Sequence, residues 1–194
     1  MSQIDTPERP LRADAARNRA KLINAARAAF ASDGTSASLE DIARRARVGI
    51  GTLYRHFPSR LDLVEAIYID EVEALCNSAD NSVDLPPWDA LVDWLHRFVR
   101  YVAAKQALAE ELFAHLGEDA EVFRSCRVAV FATGGPLLER AQQAGVVRPD
   151  TSFTEVVRMV GGIAKISPAE PEETERILDI ALDGLRYRST SQHR

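Results

Sequence analysis

Polar and basic side chains cluster between Thr52 and His56, in the run Thr-Leu-Tyr-Arg-His. If the run is helical, Leu53 lies on the inner side and the other four residues lie outside. Hydroxyl, guanidinium and imidazole groups donate hydrogen bonds to phosphate oxygens and to the edges of bases. The chemistry that this run offers is therefore recognition of a nucleic acid.

The helix that precedes this run begins with a capping pattern. Ser38 is a good cap, and Asp41 three residues later completes a capping box. The apolar residues recur at i, i+3, i+4 and i+7, which places them on one buried face of a helix. They are Leu39, Ile42, Ala43 and Ala46.

The link Arg47-Val48-Gly49 has no room for a conventional loop. The next helix, Ile50 to His56, must therefore start almost at once and cross the first at a steep angle. Phe57-Pro58 ends it, because proline disfavours a helical conformation at the residue before it. Two short helices at a sharp angle, with polar and basic groups on the second, predict a DNA-binding helix-turn-helix.

The runs Leu39-Glu-Asp-Ile-Ala and Gly51-Thr-Leu-Tyr-Arg-His-Phe resemble the DNA-binding signature of the TetR family of transcriptional repressors. The resemblance covers residues 22–63. Arg47 departs from it, because the family usually has glycine at that turn. Either Arg47 adopts a positive φ at a cost of about 1 kcal/mol, or the turn differs slightly from that of the family. Gly49 replaces a cap that is often serine, at a cost of about a few tenths of a kcal/mol.

The expected DNA contacts divide by role. Tyr54, His56 and Arg60 are expected to hold phosphates and set the docking position. Thr52 is expected to approach base edges in the major groove, and Ser38 caps its helix within reach of a phosphate. The full set comprises Ser38, Arg47, Gly49, Ile50, Gly51, Thr52, Tyr54, Arg55, His56 and Arg60.

Charge is segregated along the 194 residues. Residues 1–60 hold eleven Lys and Arg against six Asp and Glu, whereas residues 61–194 hold thirteen against twenty-three. A basic first third on an acidic remainder indicates one polyanion-binding end and a separate domain. No apolar run approaches the roughly 18 residues that span a bilayer, so we expect a cytoplasmic protein without membrane contact. In that reducing compartment Cys76 and Cys126 are expected to be buried thiols.

Helical periodicity continues to the end of the chain, so the fold class is all-α. We predict a disordered arm at 1–12, a three-helix DNA-binding domain at 13–60 and a helical ligand-binding and dimerisation domain at 61–194. The first helix should run from Asp14 to Ser32, and another from Ser59 to Ser78. A short helix is expected at Gln106–Leu116, and Gly134-Gly135-Pro136 should kink and interrupt the helix that follows it.

The TetR resemblance implies a ligand pocket in the second domain, with an effector that is apolar or aromatic because few charges interleave its expected lining. Residue by residue, an ordinary core is the alternative for this set. The expected lining comprises Tyr68, Trp94, Phe98, Tyr101, Phe113, Phe123, Phe131 and Met159.

The resemblance also implies that the last two helices form a four-helix bundle with a second copy of the chain. A twofold DNA-binding protein needs a partner to reach two half-sites. The alternative is that both helices only complete the core of one chain. The expected interface comprises Phe153, Val157, Val160, Gly161, Ala164, Leu178, Ala181, Leu182 and Leu185.

The motifs of other chemistries do not occur in the sequence. The four histidines have no metal-ligand spacing, and we find no nucleophile elbow and no phosphate-binding glycine loop. The sequence predicts no metal, no cofactor and no enzyme. We interpret the chain as a repressor that a small ligand releases from operator DNA. The alternatives are an activator, an effector-independent DNA binder, and a helical carrier or enzyme with a vestigial DNA-binding unit.

Overall fold

The computed structural model describes the backbone of residues 8–82, 84–117, 119–165 and 171–186. Residues 1–7 of the predicted arm lie outside the described residues. The described ranges contain eight α-helices, joined by turns that include two short 3-10 helices at Gly34–Ser36 and Asp80–Ser82. The α-helices are α1 (Glu8–Asp33), α2 (Leu39–Ala46), α3 (Ile50–His56), α4 (Arg60–Ser78), α5 (Pro87–Leu116), α6 (Glu121–Gln143), α7 (Phe153–Lys165) and α8 (Pro171–Asp183).

The helices form two compact units. The first unit extends to Tyr68 and includes Ala107–His115, and the second comprises Ile69–Gln106 and the chain from Leu116 onward. This division differs from the predicted boundary between residues 60 and 61. The first unit takes the beginning of α4 and also a segment of α5 that lies far away in sequence.

The core of the first unit is built from α1, α2 and α3, which pack on one another. Leu22 of α1, Ile42 of α2 and Leu53 of α3 are completely buried, and Phe57 closes the core after α3. Ile42 and Leu53 are residues that the sequence pattern places inside. Their burial holds two short helices that would be unstable alone in water.

Three helices begin with capping residues, and the first of these is the one that the sequence predicts at Ser38. The amide of Asp41 donates to Ser38 Oγ at 3.0 Å. At the start of α4 the amide of Ser59 donates to Asp62 Oδ2 at 2.8 Å, and the amide of Asp62 donates to Ser59 Oγ at 3.2 Å. Ser152 and Glu155 exchange the same pair of bonds before α7, at 2.8 and 3.3 Å.

Some helix boundaries differ from the predicted ones. α1 begins at Glu8, so the end of the predicted arm is helical. α5 is one helix of 30 residues, and the separate helix predicted at Gln106–Leu116 is its second part. α6 continues through Gly134-Gly135-Pro136, so the predicted interruption is wrong.

The glycine at position 134 has a packing role inside the continuous helix α6. Phe153 and Trp94, two members of an aromatic cluster in the second unit, lie directly against it. A Cβ at Gly134 would come within 2.3 Å of Phe153 and 2.6 Å of Trp94. A glycine in a helix interior costs about 0.5–1 kcal/mol relative to alanine. Here the missing side chain allows two large rings to reach the backbone of α6.

The two adjacent glycines give a matched test of this packing. Gly134→Ala should lower the free energy of unfolding by roughly 1–3 kcal/mol, because the new methyl group overpacks the aromatic cluster. Gly135→Ala meets no atom within 4 Å and should raise stability by up to about 1 kcal/mol through helix propensity. Urea unfolding of both variants measures the difference. A Gly134→Ala variant as stable as Gly135→Ala would contradict the close approach.

Candidate functional site

The turn between α2 and α3 is closed by Arg47 in a left-handed conformation, with φ of 55°. The amide of Arg47 donates to Arg44 O at 3.1 Å, and the amide of Val48 donates to Ala43 O at 3.0 Å. This pair of bonds is the Schellman motif, which ordinarily uses glycine at the left-handed position. The predicted departure at Arg47 is thus confirmed as a positive φ. Gly49 caps α3 without a side-chain hydrogen bond.

α3 presents one buried face and one exposed polar face. Leu53 is completely buried, whereas Tyr54 is 44 % exposed. Arg55 is exposed on the same side, and Thr52 and His56 are half-buried. The structure therefore brings together the polar residues that the sequence assigns to this face.

Ion pairs with Asp33 and Asp41 compensate part of the positive charge of α2. Arg45 reaches Asp41 Oδ2 at 2.7 Å and Asp33 Oδ2 at 2.8 Å, which ties α2 to the end of α1. Arg44 also bonds Asp41, and this bond, with the charge of Arg45, keeps the pKa of Asp41 below its usual value. Arg47 in the turn before α3 and Arg55 on α3 itself are both exposed.

Arg60, one of the predicted phosphate contacts, begins α4 and makes its contacts within the first unit. Its Nε donates to Glu111 Oε1 at 2.8 Å and its Nη1 donates to the carbonyl of Ala37 at 2.5 Å. The guanidinium also lies 4.7 Å from the ring centroid of Phe30. Because an aromatic ring covers one face of the guanidinium and two acceptors bind its Nε and Nη1, we leave Arg60 out of the phosphate contacts proposed below.

Comparison with known proteins agrees with this geometry. Residues 22–67 match the family described as bacterial regulatory proteins, tetR family, and residues 86–187 match the SbtR-like C-terminal domain of transcriptional regulators. The chain belongs to the TetR family of transcriptional regulators. It is all-α, with the helix-turn-helix in the first unit and a helical C-terminal domain.

Several members of the family are similar over most of the chain. The TetR transcriptional regulator SCO0520 from Streptomyces coelicolor is 38% identical with a TM-score of 0.77, covering 88% of this chain and 99% of its own. A TetR regulatory protein from Mycobacterium vanbaalenii is 37% identical with a TM-score of 0.73, covering 91% and 99%. The regulator UidR of Escherichia coli is 25% identical over 155 residues, 77% of this chain and 79% of UidR.

The C-terminal domain of this TetR-family chain holds a row of stacked aromatic rings on α5. Trp94 stacks on Phe98 with centroids 5.5 Å apart, and Phe98 stacks on Tyr101 at 6.0 Å. Phe153 joins the row at 5.9 Å from Trp94 and contacts Phe131 edge-on at 5.2 Å. The indole Nε1 of Trp94 is buried and has no hydrogen-bond partner among the described residues.

The predicted pocket lining is brought together only in part. Trp94, Phe98, Tyr101 and Phe131 belong to the aromatic cluster, whereas Tyr68 and Phe113 belong to the first unit. Phe123 is buried and Met159 half-buried in the second unit. An open groove of about 300 Å³ runs between α4 and α5 and shares Tyr101 with the predicted lining. The other residues of the groove are Glu71, Ala74, Leu75, Ser78, Arg97 and Arg100.

Lys105 lies one turn beyond Tyr101 and is only 5 % exposed. Its Nζ donates to the Tyr101 hydroxyl and lies 4.3 Å from the centroid of that ring. Burial lowers the pKa of Lys105 to about 7, against a smaller opposing effect of the nearby Cys126, Glu71 and Cys76. The helical pattern gave no signal for this residue, because a lysine among apolar residues normally extends its charge into solvent.

The residues of the predicted dimer interface on α7 and α8 differ in burial. Val160, Leu178, Leu182 and Leu185 are buried inside the second unit, because α7 and α8 pack on each other. Phe153 belongs to the aromatic cluster. Val157, Gly161, Ala164 and Ala181 remain partly exposed, and Ile180 of α8, which the prediction missed, is 70 % exposed. A helical pattern shows that a face is apolar and does not show what covers it.

The described part of the chain contains no helix that is long and apolar enough to cross a membrane. Cys126 is buried and Cys76 half-buried, and both are free thiols.

The buried amine of Lys105 predicts a pH-dependent stability. Between pH 7 and its ordinary pKa of 10.5, the unfolded chain holds one proton more than the folded chain, so this group makes stability rise with pH. Lys105→Met should raise the free energy of unfolding at pH 6 by on the order of a few kcal/mol, and the gain should shrink toward pH 10. Chemical unfolding across this range measures both effects.

Lys165→Met removes an exposed lysine and serves as the matched control, with no pH-dependent gain. A Lys105→Met variant that is less stable than the parent at pH 6 would show that the ammonium is favourably paired in the fold.

Proposed function

We propose that this TetR-family regulator is a homodimeric repressor that binds operator DNA in the cytoplasm and is released by a small, mostly apolar ligand. The observation that carries the proposal is the polar face of α3, held outward by the left-handed turn at Arg47 while Leu53 anchors the opposite face. A short, exposed and rigidly anchored helix of this kind fits the major groove of DNA.

The contacts follow from exposure and chemistry. Thr52, beside Ile50 and Gly51 at the start of α3, approaches base edges and supplies sequence preference. Tyr54 and His56 donate to phosphates and fix the register of docking. Arg47 and Arg55 supply positive charge from exposed positions. Ser38 accepts a bond from Asp41 through its oxygen, and its hydroxyl hydrogen can still be donated to a phosphate.

The effector site is assigned to the aromatic cluster of the C-terminal domain. A buried N–H without an acceptor costs free energy, and a bound molecule or water that accepts from Trp94 would recover it. The stacked rings of Trp94, Phe98 and Tyr101 favour an apolar or aromatic molecule with one hydrogen-bond acceptor. The groove beside Tyr101 offers this molecule a route from solvent.

The dimer surface is assigned to the exposed side of α7 and α8. Val157, Gly161 and Ala164 follow one another at helical spacing on α7, and the large exposed side chain of Ile180 lies on α8. Small residues allow close approach of a second backbone, and an exposed isoleucine gains free energy when it is covered. Two copies joined in this way present two α3 helices to two half-sites.

DNA binding is tested on a duplex selected by the purified protein from a random library. Two copies each of Arg47 and Arg55 release about four counterions, so affinity should fall roughly a hundredfold between 50 and 200 mM salt. Arg55→Gln should reduce the slope of log K against log salt by about two per dimer. Fluorescence anisotropy with a labelled duplex gives these constants. An affinity that is independent of salt would refute the proposed interface.

Two variants of α3 distinguish a phosphate contact, which sets how the helix docks, from a base contact, which sets sequence preference. Tyr54→Phe removes a phosphate contact and should weaken binding to the selected and to random duplexes alike. Thr52→Ala should change the ratio between the two affinities by roughly fivefold or more, as expected for a base contact. If the two variants behave identically, the division of roles on α3 is wrong.

Assembly is tested by sedimentation at micromolar concentration. The parent should have twice the chain mass of 21.4 kDa. Ile180→Glu should shift the mass toward the monomer, because a carboxylate in the interface must be desolvated. Val128→Glu on α6 is the matched control, since Val128 is exposed to the same degree and should leave the dimer intact. Dissociation by Val128→Glu but not by Ile180→Glu would move the interface to α6.

A further inference from the structure

Arg60 is the first residue of α4 and stands directly after the turn that ends α3. Its guanidinium contacts three separate parts of the first unit. It lies over the ring of Phe30 in α1 and donates to the carbonyl of Ala37, the residue before the cap of α2. Its Nε donates to the carboxylate of Glu111. One side chain therefore links α1, the entrance of α2 and the beginning of α4.

Glu111 is the member of this cluster that comes from a distant part of the sequence. It lies on α5, 51 residues after Arg60, within the segment Ala107–His115 that belongs to the first unit. Its side chain is 13 % exposed and that of Arg60 is 29 % exposed. A partly buried guanidinium needs a partner for its N–H groups, and a carboxylate at 2.8 Å satisfies this need with a charge-assisted bond.

The contacts of Arg60 lie at the two ends of the chain segment that contains α3, so they affect how α3 is oriented. In the chain α3 joins α2 to α4, and the hydrogen bond from Arg60 to Ala37 connects the start of α4 with the entrance of α2. We propose that Glu111, acting through Arg60, is a positioning residue for DNA binding: it orients the helix-turn-helix and does not contact DNA itself. This inference rests on the proposed function, because it requires that α3 docks on an operator.

The sign of the charge makes the inference testable. Glu111 carries a negative charge within the DNA-binding unit, and removing a negative charge from such a unit strengthens its general attraction to DNA. Positioning predicts the opposite for a specific site, because a misaligned α3 loses contacts that depend on register. The two effects of Glu111→Gln therefore differ in direction on a selected operator and on random DNA.

The experiment compares the parent protein with Glu111→Gln, Arg60→Gln and the double variant on the selected operator and on a random duplex. We expect Glu111→Gln to weaken operator binding by roughly tenfold while binding to random DNA stays equal or becomes tighter. The double variant should lose no more operator affinity than Arg60→Gln alone, because both substitutions break the same contact between Arg60 and Glu111. The salt slope should stay the same in all four proteins, because no phosphate contact is lost.

Two controls keep the outcome clear. Glu110→Gln makes the same charge change at the exposed neighbouring position and should not weaken operator binding. Glu111→Asp keeps the charge and shortens the side chain, so it should give a smaller loss and it replaces Glu111→Gln if that variant does not fold. Each constant is measured per active molecule, at a temperature well below the unfolding midpoint.

Three results would overturn the inference. Operator affinity unchanged in Glu111→Gln would remove its positioning role. A salt slope that falls by about one per protomer in Arg60→Gln would make Arg60 a phosphate contact, as the sequence first predicted. Equal losses on operator and random DNA would indicate a general loss of DNA-binding capacity and not a loss of register. If the parent itself shows no salt-dependent operator binding, the proposed function fails and not this inference alone.

Discussion

Arg47 holds its backbone at φ of 55°, and the direction in which α3 leaves α2 depends on this torsion. The left-handed residue lets two amides return to the carbonyls of Ala43 and Arg44, so the end of α2 is satisfied before α3 begins. An arginine in this conformation costs about 1 kcal/mol more than a glycine would. The burial of Ile42 and Leu53 on either side of the turn outweighs this cost, and the polar face of α3 points outward as a result.

The features that were predictable from the sequence are local ones. A capping box spans four residues, so the bonds of Ser38 with Asp41 and of Ser59 with Asp62 follow from residue types and spacing alone. The inner face of α2 is equally local, because helical periodicity is a property of a single segment. The helix-turn-helix and its outward face on α3 could therefore be predicted almost completely.

The features that were missed depend on contacts between distant segments. Arg60 looks like a phosphate-binding arginine next to a recognition helix until Glu111 is placed beside it. Leu182 and Ile180 are both large and aliphatic on α8, and only the packing of α7 decides that the first is buried and the second exposed. Gly134 was misinterpreted for the same reason. A glycine in a helix indicates either a break or a close approach, and the ring that approaches lies on another helix.

The first unit consists of two separate segments of the sequence, and this determines when during synthesis it can complete its fold. Chains are synthesised from the N-terminus, and domains fold as units while synthesis continues. When α1, α2 and α3 have been synthesised, Glu111, whose carboxylate accepts from Arg60, has not yet been added to the chain, because it follows Arg60 by 51 residues. The nascent DNA-binding unit therefore reaches its final arrangement only after most of α5 has been synthesised. A regulator built in this way completes its first unit only past the midpoint of translation, when α4 and most of α5 are present and α6, α7 and α8 have still to be made.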